Sequence, residues 1–332
     1  MSDPNQEFHA PPPPPIQTEP ERQRPTWLMW TGIALFVIGL LIVGLGLLGV
    51  LPGMASSGGS VCALGILFFA FSFMRLPAIP DAPPRMSTVQ TLVGIFFEPT
   101  RVFRNLRAHP QWLAAIFIAG ILSGAYINTF HYRLTPDRVV GFKWDAIEQG
   151  PFKPPPEQLA QQRQTELDVQ KSTAGKIGNV ISSVVGSFFM MAFVAALCLL
   201  GVIAFGGRMH YWQAFSVVAY VQFPFTVIEK GISFLVLFLK APEDVHPILG
   251  QQTLVYDNLG LLVSSKEHPV LYVIMAAIGV LSFYRLWLTA TGLREGGYKV
   301  SSTAGWGVSI TLFILFLLLG IALAAFFPSF LG

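Results

Sequence analysis

FFEPTRVFRNLRAHPQWLAAIFIAGILSGAY, residues 96–126, joins two segments with different physics. Between Glu98 and Ala108, Arg101, Arg104 and Arg107 recur three residues apart. At helical spacing they share one flank, and Val102, Phe103 and Leu106 fall on the other. Residues 111–130 carry no charged side chain, and about 20 such residues cross a bilayer core. Pro110 separates the two segments, and Trp112 stands where interfacial aromatics gather. The simplest reading is a short basic helix lying on a membrane, turning at a proline into a spanning helix. Arg101, Arg104 and Arg107 are then candidate membrane-surface residues. A soluble loop is the alternative, because an isolated helix of about ten residues is marginal.

Composition points the same way. Of 332 residues, 53% are apolar and only 12% are Asp, Glu, Lys or Arg, about half the charge content of a soluble domain. Gathered into blocks, those charges describe an all-α, polytopic membrane bundle. The alternating ten-residue segments of a membrane β-barrel are absent. A net charge of +3 with no dense basic block argues against nucleic acid as a partner. Cys62 and Cys198 lie in apolar runs without ligand neighbours and read as small buried hydrophobes.

Working outward, residues 1–26 are polar and proline-rich, with Pro11 to Pro15 consecutive, and suit an extended tail. Apolar runs at 27–51 and 60–76 make a hairpin, and Gly32, Gly39, Gly44, Gly46 and Gly49 give its first arm a small-residue surface. After a linker at 77–91 and the quoted stretch, residues 131–178 form the longest polar segment, with a mostly polar helix starting near Glu157. Further spans are expected at 180–205, 214–239, 269–288 and 306–327, giving about seven in all. Three regions follow: a tail at 1–26, a hairpin at 27–80 and a five-span unit at 90–328 carrying the polar insertion at 131–178.

Lys and Arg placement orients the chain. With the N-terminus inside, the inner segments hold Arg22, Arg24, Arg75, Arg85, Arg101, Arg104, Arg107, Arg208, Arg285, Arg294 and Lys299. The outer ones hold Lys240 and Lys266, once the charge-balanced insertion is set aside. This places the C-terminus outside.

No catalytic pattern is present. No two histidines have the spacing of a helical metal site, and neither G-x-S-x-G nor a phosphate-binding glycine loop occurs. No enzyme activity, cofactor or metal is expected. The sharper signal is Glu229 and Lys230, about 22 Å into their span at helical rise, where charge is costly and often functional. These are the candidate intramembrane polar residues. With Pro224 before them and Gly231 after, the helix is expected to end near Val227 and leave the pair at the interface. Arg285, near the inner end of its expected span, reads as an anchoring residue that snorkels.

Three stretches carry a family resemblance. FFEPTRVFRNLRAHPQW, GGRMHYWQAFSVVAYVQFP and LTATGLREGGYKVSSTAGWGV resemble, in order, the entry segment, the glycine-pair loop with its proline-containing span, and the last loop of the Yip1 domain family in its bacterial form. The likeness covers roughly 240 of the 332 residues. It implies a five-span fold with a cytoplasmic N-terminal side, in a bacterial inner membrane. Eukaryotic members bind Rab-type GTPases and one another. Where they carry an Asp-Leu-Tyr-Gly-Pro run, this chain has PRMSTVQTLVGIFFEP, so GTPase binding is not carried over. The expected function is non-enzymatic, through association with itself, other membrane proteins or lipid. The alternative is a small transporter or channel with polar residues lining a path.

Overall fold

The structure is a computed structural model and describes residues 25–51, 53–75, 82–150, 154–255 and 257–328. The proline-rich tail expected at 1–26 therefore lies almost wholly outside the described residues. The chain is an all-α bundle. Among the described residues six helices are long and apolar enough to cross a membrane: α1 Thr26–Leu47, α2 Ala55–Ser72, α5 Leu113–Leu134, α8 Thr173–Ala204, α9 Tyr211–Leu239 and α13 Ser302–Phe326. Large apolar side chains such as Leu40, Leu41, Leu315 and Leu318 are exposed along α1 and α13, an arrangement a bilayer satisfies and water does not.

Shorter helices complete the set: α3 Thr88–Phe97, α4 Pro99–Ala108, α6 Pro136–Glu148, α7 Pro156–Lys171, the single turn α10 Leu249–Gln252, α11 Pro269–Ala276 and α12 Val280–Gly296. Local chemistry sets their starts. Ser87 opens α3 in a capping box: its hydroxyl accepts from the Gln90 N–H at 3.2 Å, and its own N–H donates to Gln90 Oε1 at 3.0 Å. Ser172 and Ser301 cap α8 and α13 in the same sense, each accepting a backbone N–H. Pro99, Pro136, Pro156 and Pro269 each occupy the first helical position, where a missing donor costs nothing.

The expected sixth span, 269–288, is divided. α11 stops at Ala276, and α12 begins at Val280 and continues to Gly296, eight residues beyond the expected end. The break is filled from outside. Leu259 N–H donates to Ile278 O at 3.1 Å, and Asp257 Oδ2 accepts from Leu281 N–H at 2.6 Å at the first turn of α12. Both pieces lie along α13, α12 at Gly305 and α11 at Gly320, so together they retrace its length. Among the described residues six helices are thus long and apolar enough to span, and α11 with α12 covers the remaining expected span in two pieces.

Its two ends differ. At the arginine end lie α3, α4 and the start of α1; at the loop end lie α6, α7 and α10. The polar segment 131–178 is more ordered than expected: α5 runs on to Leu134, α6 is a helix, and α8 begins at Thr173 rather than 180. α7 has no buried residue, as expected for a helix polar on nearly all sides. It is tied to α6 by Lys143–Glu166 at 2.7 Å and Arg163–Asp145 at 3.0 Å.

Two kinds of packing hold the hairpin. Between its arms the contact is backbone on backbone. Gly32, Gly39 and Gly46 on α1 recur every seven residues and face Gly65, Gly58 and Ala55 on α2; a Cβ on Gly39 would lie 2.6 Å from Cys62 N and 2.8 Å from Gly58 O. Such a seven-residue repeat of small side chains brings helix axes close. Against the rest of the bundle the contact is aromatic. Trp27 stacks on Trp112 at 6.1 Å, Trp112 stacks on Trp212 at 6.0 Å, and Phe68, Phe71, Phe188 and Phe215 surround them. Trp112 is therefore not an interfacial anchor. It is 5% exposed, because the hairpin covers the place where lipid headgroups would have met it.

Candidate functional site

The amphipathic helix expected ahead of the third span exists as α4. Val102, Phe103 and Leu106 are fully buried, and Arg101 and Arg104 project outward from the opposite flank. Protein, not lipid, takes the apolar face: Phe103 reaches Gly292 of α12, and Gln213 of α9 donates to Arg107 O at 2.8 Å. Each exposed arginine has a local partner, Glu98 for Arg101 at 2.9 Å and Glu295 for Arg104 at 2.7 Å. Such exposed pairs contribute about 0–1 kcal/mol each. α3, immediately before, turns Val89, Val93 and Phe97 outward at the same end of the bundle.

Glu229 and Lys230 lie elsewhere than expected. α9 does not end near Val227; it continues unbroken through Pro224 and Gly231 to Leu239. Proline is tolerated in spanning helices because packing and neighbouring groups re-satisfy the freed carbonyl. The pair is consequently held inside the bundle, 14% and 12% exposed, with Nζ to Oε1 at 3.2 Å. The Lys230 ammonium also donates to the Gln252 carbonyl and sits 4.9 Å above the Tyr126 ring centroid. Tyr126 in turn donates its hydroxyl to Gly250 O at 2.6 Å. The turn after α9 thus folds back over the pair and supplies its acceptors.

Both residues open onto a cavity of about 760 Å³ between α5, α8, α9, α12 and α13. α9, α12 and the turn after α9 contribute its charged groups Glu229, Lys230 and Arg285 with Gln222, Thr226 and Gln252, beside apolar Val218, Val221 and Phe225; α8 and α13 contribute Met190, Val194, Leu312, Phe313 and Phe316, beside Ser187 and Ser309. Arg285 is the residue that sequence reasoning placed wrongly. Because α12 runs to Gly296, Arg285 lies eleven residues from that end rather than near it, too far to snorkel there. Gly296 touches Val217 of α9. Counting from that contact, Arg285 and Glu229 lie at the same level, roughly 16–18 Å further along. Arg285 is exposed and is one of the residues that line the cavity. Its carbon is 5.3 Å from the Phe225 ring centroid. The sequence signal was there in the glycine pair Gly296–Gly297, a better helix end than Leu288.

A polar chain leads from the cavity toward the loop end. Gln251 Nε2 is 3.2 Å from His131 Nε2, His131 Nδ1 is 2.9 Å from Gln170 Oε1, and Asn179 donates to both Gln170 and Asn128. Nearby, His246 Nδ1 accepts the N–H groups of Ile248 and Leu249 at 3.2 and 3.1 Å. Burial, and then the charge of Arg138, hold its pKa below the usual histidine value. Among the described residues no three of His, Cys, Asp and Glu converge where a metal ion would sit. Cys198 is fully buried at the cavity wall, and Cys62 lies half-buried against Gly39.

Comparison with curated proteins and with solved structures finds no match. A family model described as the Yip1 domain matches residues 93–324, over two thirds of the chain, and takes in every wall of the cavity; the chain belongs to the Yip1 domain family.

Proposed function

We propose that this chain is a non-enzymatic, multi-pass membrane protein that works by association, and that its bundle cavity is where it holds a lipid-like molecule. The cavity carries the reading: about 760 Å³, within the roughly 300–1,000 Å³ of ligand sites, walled by five helices, with all its charged groups on α9 and α12 and a mostly apolar lining from α8 and α13. In this reading the arginine end, with the N-terminus, lies on the cytoplasmic side of a bacterial inner membrane, and the concentration of positive charge at that end supports it. Arg101 and Arg104 there face the headgroups. Self-association or contact with other membrane proteins uses the remaining lipid-facing surface.

The test is occupancy. The full chain, purified in mild detergent, should carry lipid in native mass spectra. Gly186→Trp should displace it, because a side chain at Gly186 meets nothing within 4 Å and projects toward the cavity. Absence of any retained lipid, or equal retention in Gly186→Trp, would count against the reading. Transport is the competing reading, and Glu229 at the cavity wall is what favours it. An ion flux in proteoliposomes that disappears in Glu229→Gln would establish that alternative.

A further inference from the structure

We propose that Arg285 makes this cavity selective for an anionic amphiphile, one with a phosphate-bearing head and an apolar tail. The inference rests on the reading of the cavity as a lipid site and names the chemistry it selects. Arginine stays charged even where burial disfavours charge, and a guanidinium offers five N–H donors in a planar fork. Phe225 covers one face of that fork. Among the described residues no side chain or carbonyl accepts a hydrogen bond from it, although Thr289 donates to the Arg285 backbone carbonyl at 2.7 Å. A cation on the cavity wall with no acceptor from the protein is half of an interaction.

Glu229 supplies a favourable charge but no hydrogen bond. Its carboxylate is engaged by Lys230 at 3.2 Å, and Lys230 is fixed in place by the Gln252 carbonyl and the Tyr126 ring. The cavity wall therefore holds two cations, Arg285 and Lys230, against one carboxylate, a surplus of one positive charge. One anionic group at Arg285 would cancel it. Phosphate suits the site because two of its oxygens match the spacing of the guanidinium fork. The tail follows from the lining of α8 and α13: Met190, Val194, Leu312 and Phe316 offer nothing to a hydrated inorganic ion and much to acyl chain. Charge complementarity and the largely apolar lining from α8 and α13 commit the occupant to an anionic phospholipid rather than a free anion or a zwitterionic lipid.

The experiment measures retention of phosphatidylglycerol and phosphatidylcholine by the detergent-purified full chain in native mass spectra, with glycerol phosphate as a soluble competitor. Phosphatidylglycerol should be retained about tenfold or more over phosphatidylcholine, the scale of one charge-assisted hydrogen bond. Arg285→Gln should abolish that preference, weakening phosphatidylglycerol more than phosphatidylcholine. Arg285→Lys, which keeps the charge but loses the fork, should restore part of it. Glu229→Gln should move the other way and strengthen phosphatidylglycerol binding, since it removes the competing carboxylate. Glycerol phosphate should fail to displace the lipid. Equal retention of the two lipids by the unmodified protein would overturn the proposal while leaving a lipid site standing. Undiminished selectivity in Arg285→Gln, or displacement by glycerol phosphate, would overturn it too. If Arg285→Gln does not fold, the unmodified protein and Glu229→Gln still decide the matter. Retention of no lipid at all would instead remove the reading of the cavity beneath it.

Discussion

Gly39→Ala adds a single methyl group where the two arms of the hairpin meet. That Cβ would lie 2.6 Å from Cys62 N and Sγ and 2.8 Å from Gly58 O. Carbon contacts settle near 3.5–4.0 Å, so the arms must part by about 1 Å. No rotamer relieves this, because two of the three obstructing atoms are backbone. Overpacking of this kind costs about 1–3 kcal/mol, opposed by about 1 kcal/mol from replacing glycine inside a helix. Gly44→Ala is the control: it lies on the same helix, its added Cβ meets nothing within 4 Å, and it receives the same propensity gain. The difference between the two variants is therefore free of propensity and should be about 1–3 kcal/mol, with Gly39→Ala the less stable. Cys62→Ala in the Gly39→Ala background should rescue only part, since it removes the sulfur and leaves the backbone contacts. Unfolding by SDS titration in mixed micelles, followed by tryptophan fluorescence, reads the difference. Trp27 belongs to the hairpin and stacks on Trp112, so separation of the hairpin changes the signal. Equal midpoints for Gly39→Ala and Gly44→Ala would refute the close approach of the two arms.

Three further outcomes are expected. Trp112→Ala should destabilise the chain by about 3–5 kcal/mol, because the ring joins hairpin, α5 and α9 at 5% exposure; a thermal midpoint in detergent close to that of the unmodified protein would contradict that role. Acidification should loosen the turn after α9. The pKa of His246 is held below its ordinary 6.5, so its contribution to stability is present above that value and is lost as pH falls through the lower folded one. Protonated Nδ1 can no longer accept from Ile248 and Leu249, and those amides should lose hydrogen-exchange protection, after correction for intrinsic rate; protection unchanged by acid would show that His246 does not hold the turn. A cysteine at exposed Gln162, in a background lacking Cys62 and Cys198, should react with an impermeant thiol reagent in intact cells, and labelling only after lysis would reverse the orientation.

What the sequence determined by itself is what composition and local pattern control. Uncharged apolar runs need only the bilayer to become helices, since every backbone group must be satisfied within the segment. The arginine spacing at 101, 104 and 107 likewise makes one flank of α4 whatever lies beside it. The polar helix near Glu157 was legible for the same reason. Tertiary structure decided everything that depends on which surfaces meet. Five glycines on α1 look alike in sequence, and only the opposing arm selects Gly32, Gly39 and Gly46. Trp112 has the composition of an interfacial anchor but is enclosed by a hairpin some fifty residues earlier in the chain. Proline and glycine beside Glu229 suggested a helix end, a local rule that packing overrode, and the span holding Arg285 ended elsewhere than its hydropathy indicated. Each of those shifts is small along the chain. Together they bring Glu229, Lys230 and Arg285 to one cavity, because the charge of a side chain belongs to the sequence whereas its depth belongs to the register of neighbouring helices.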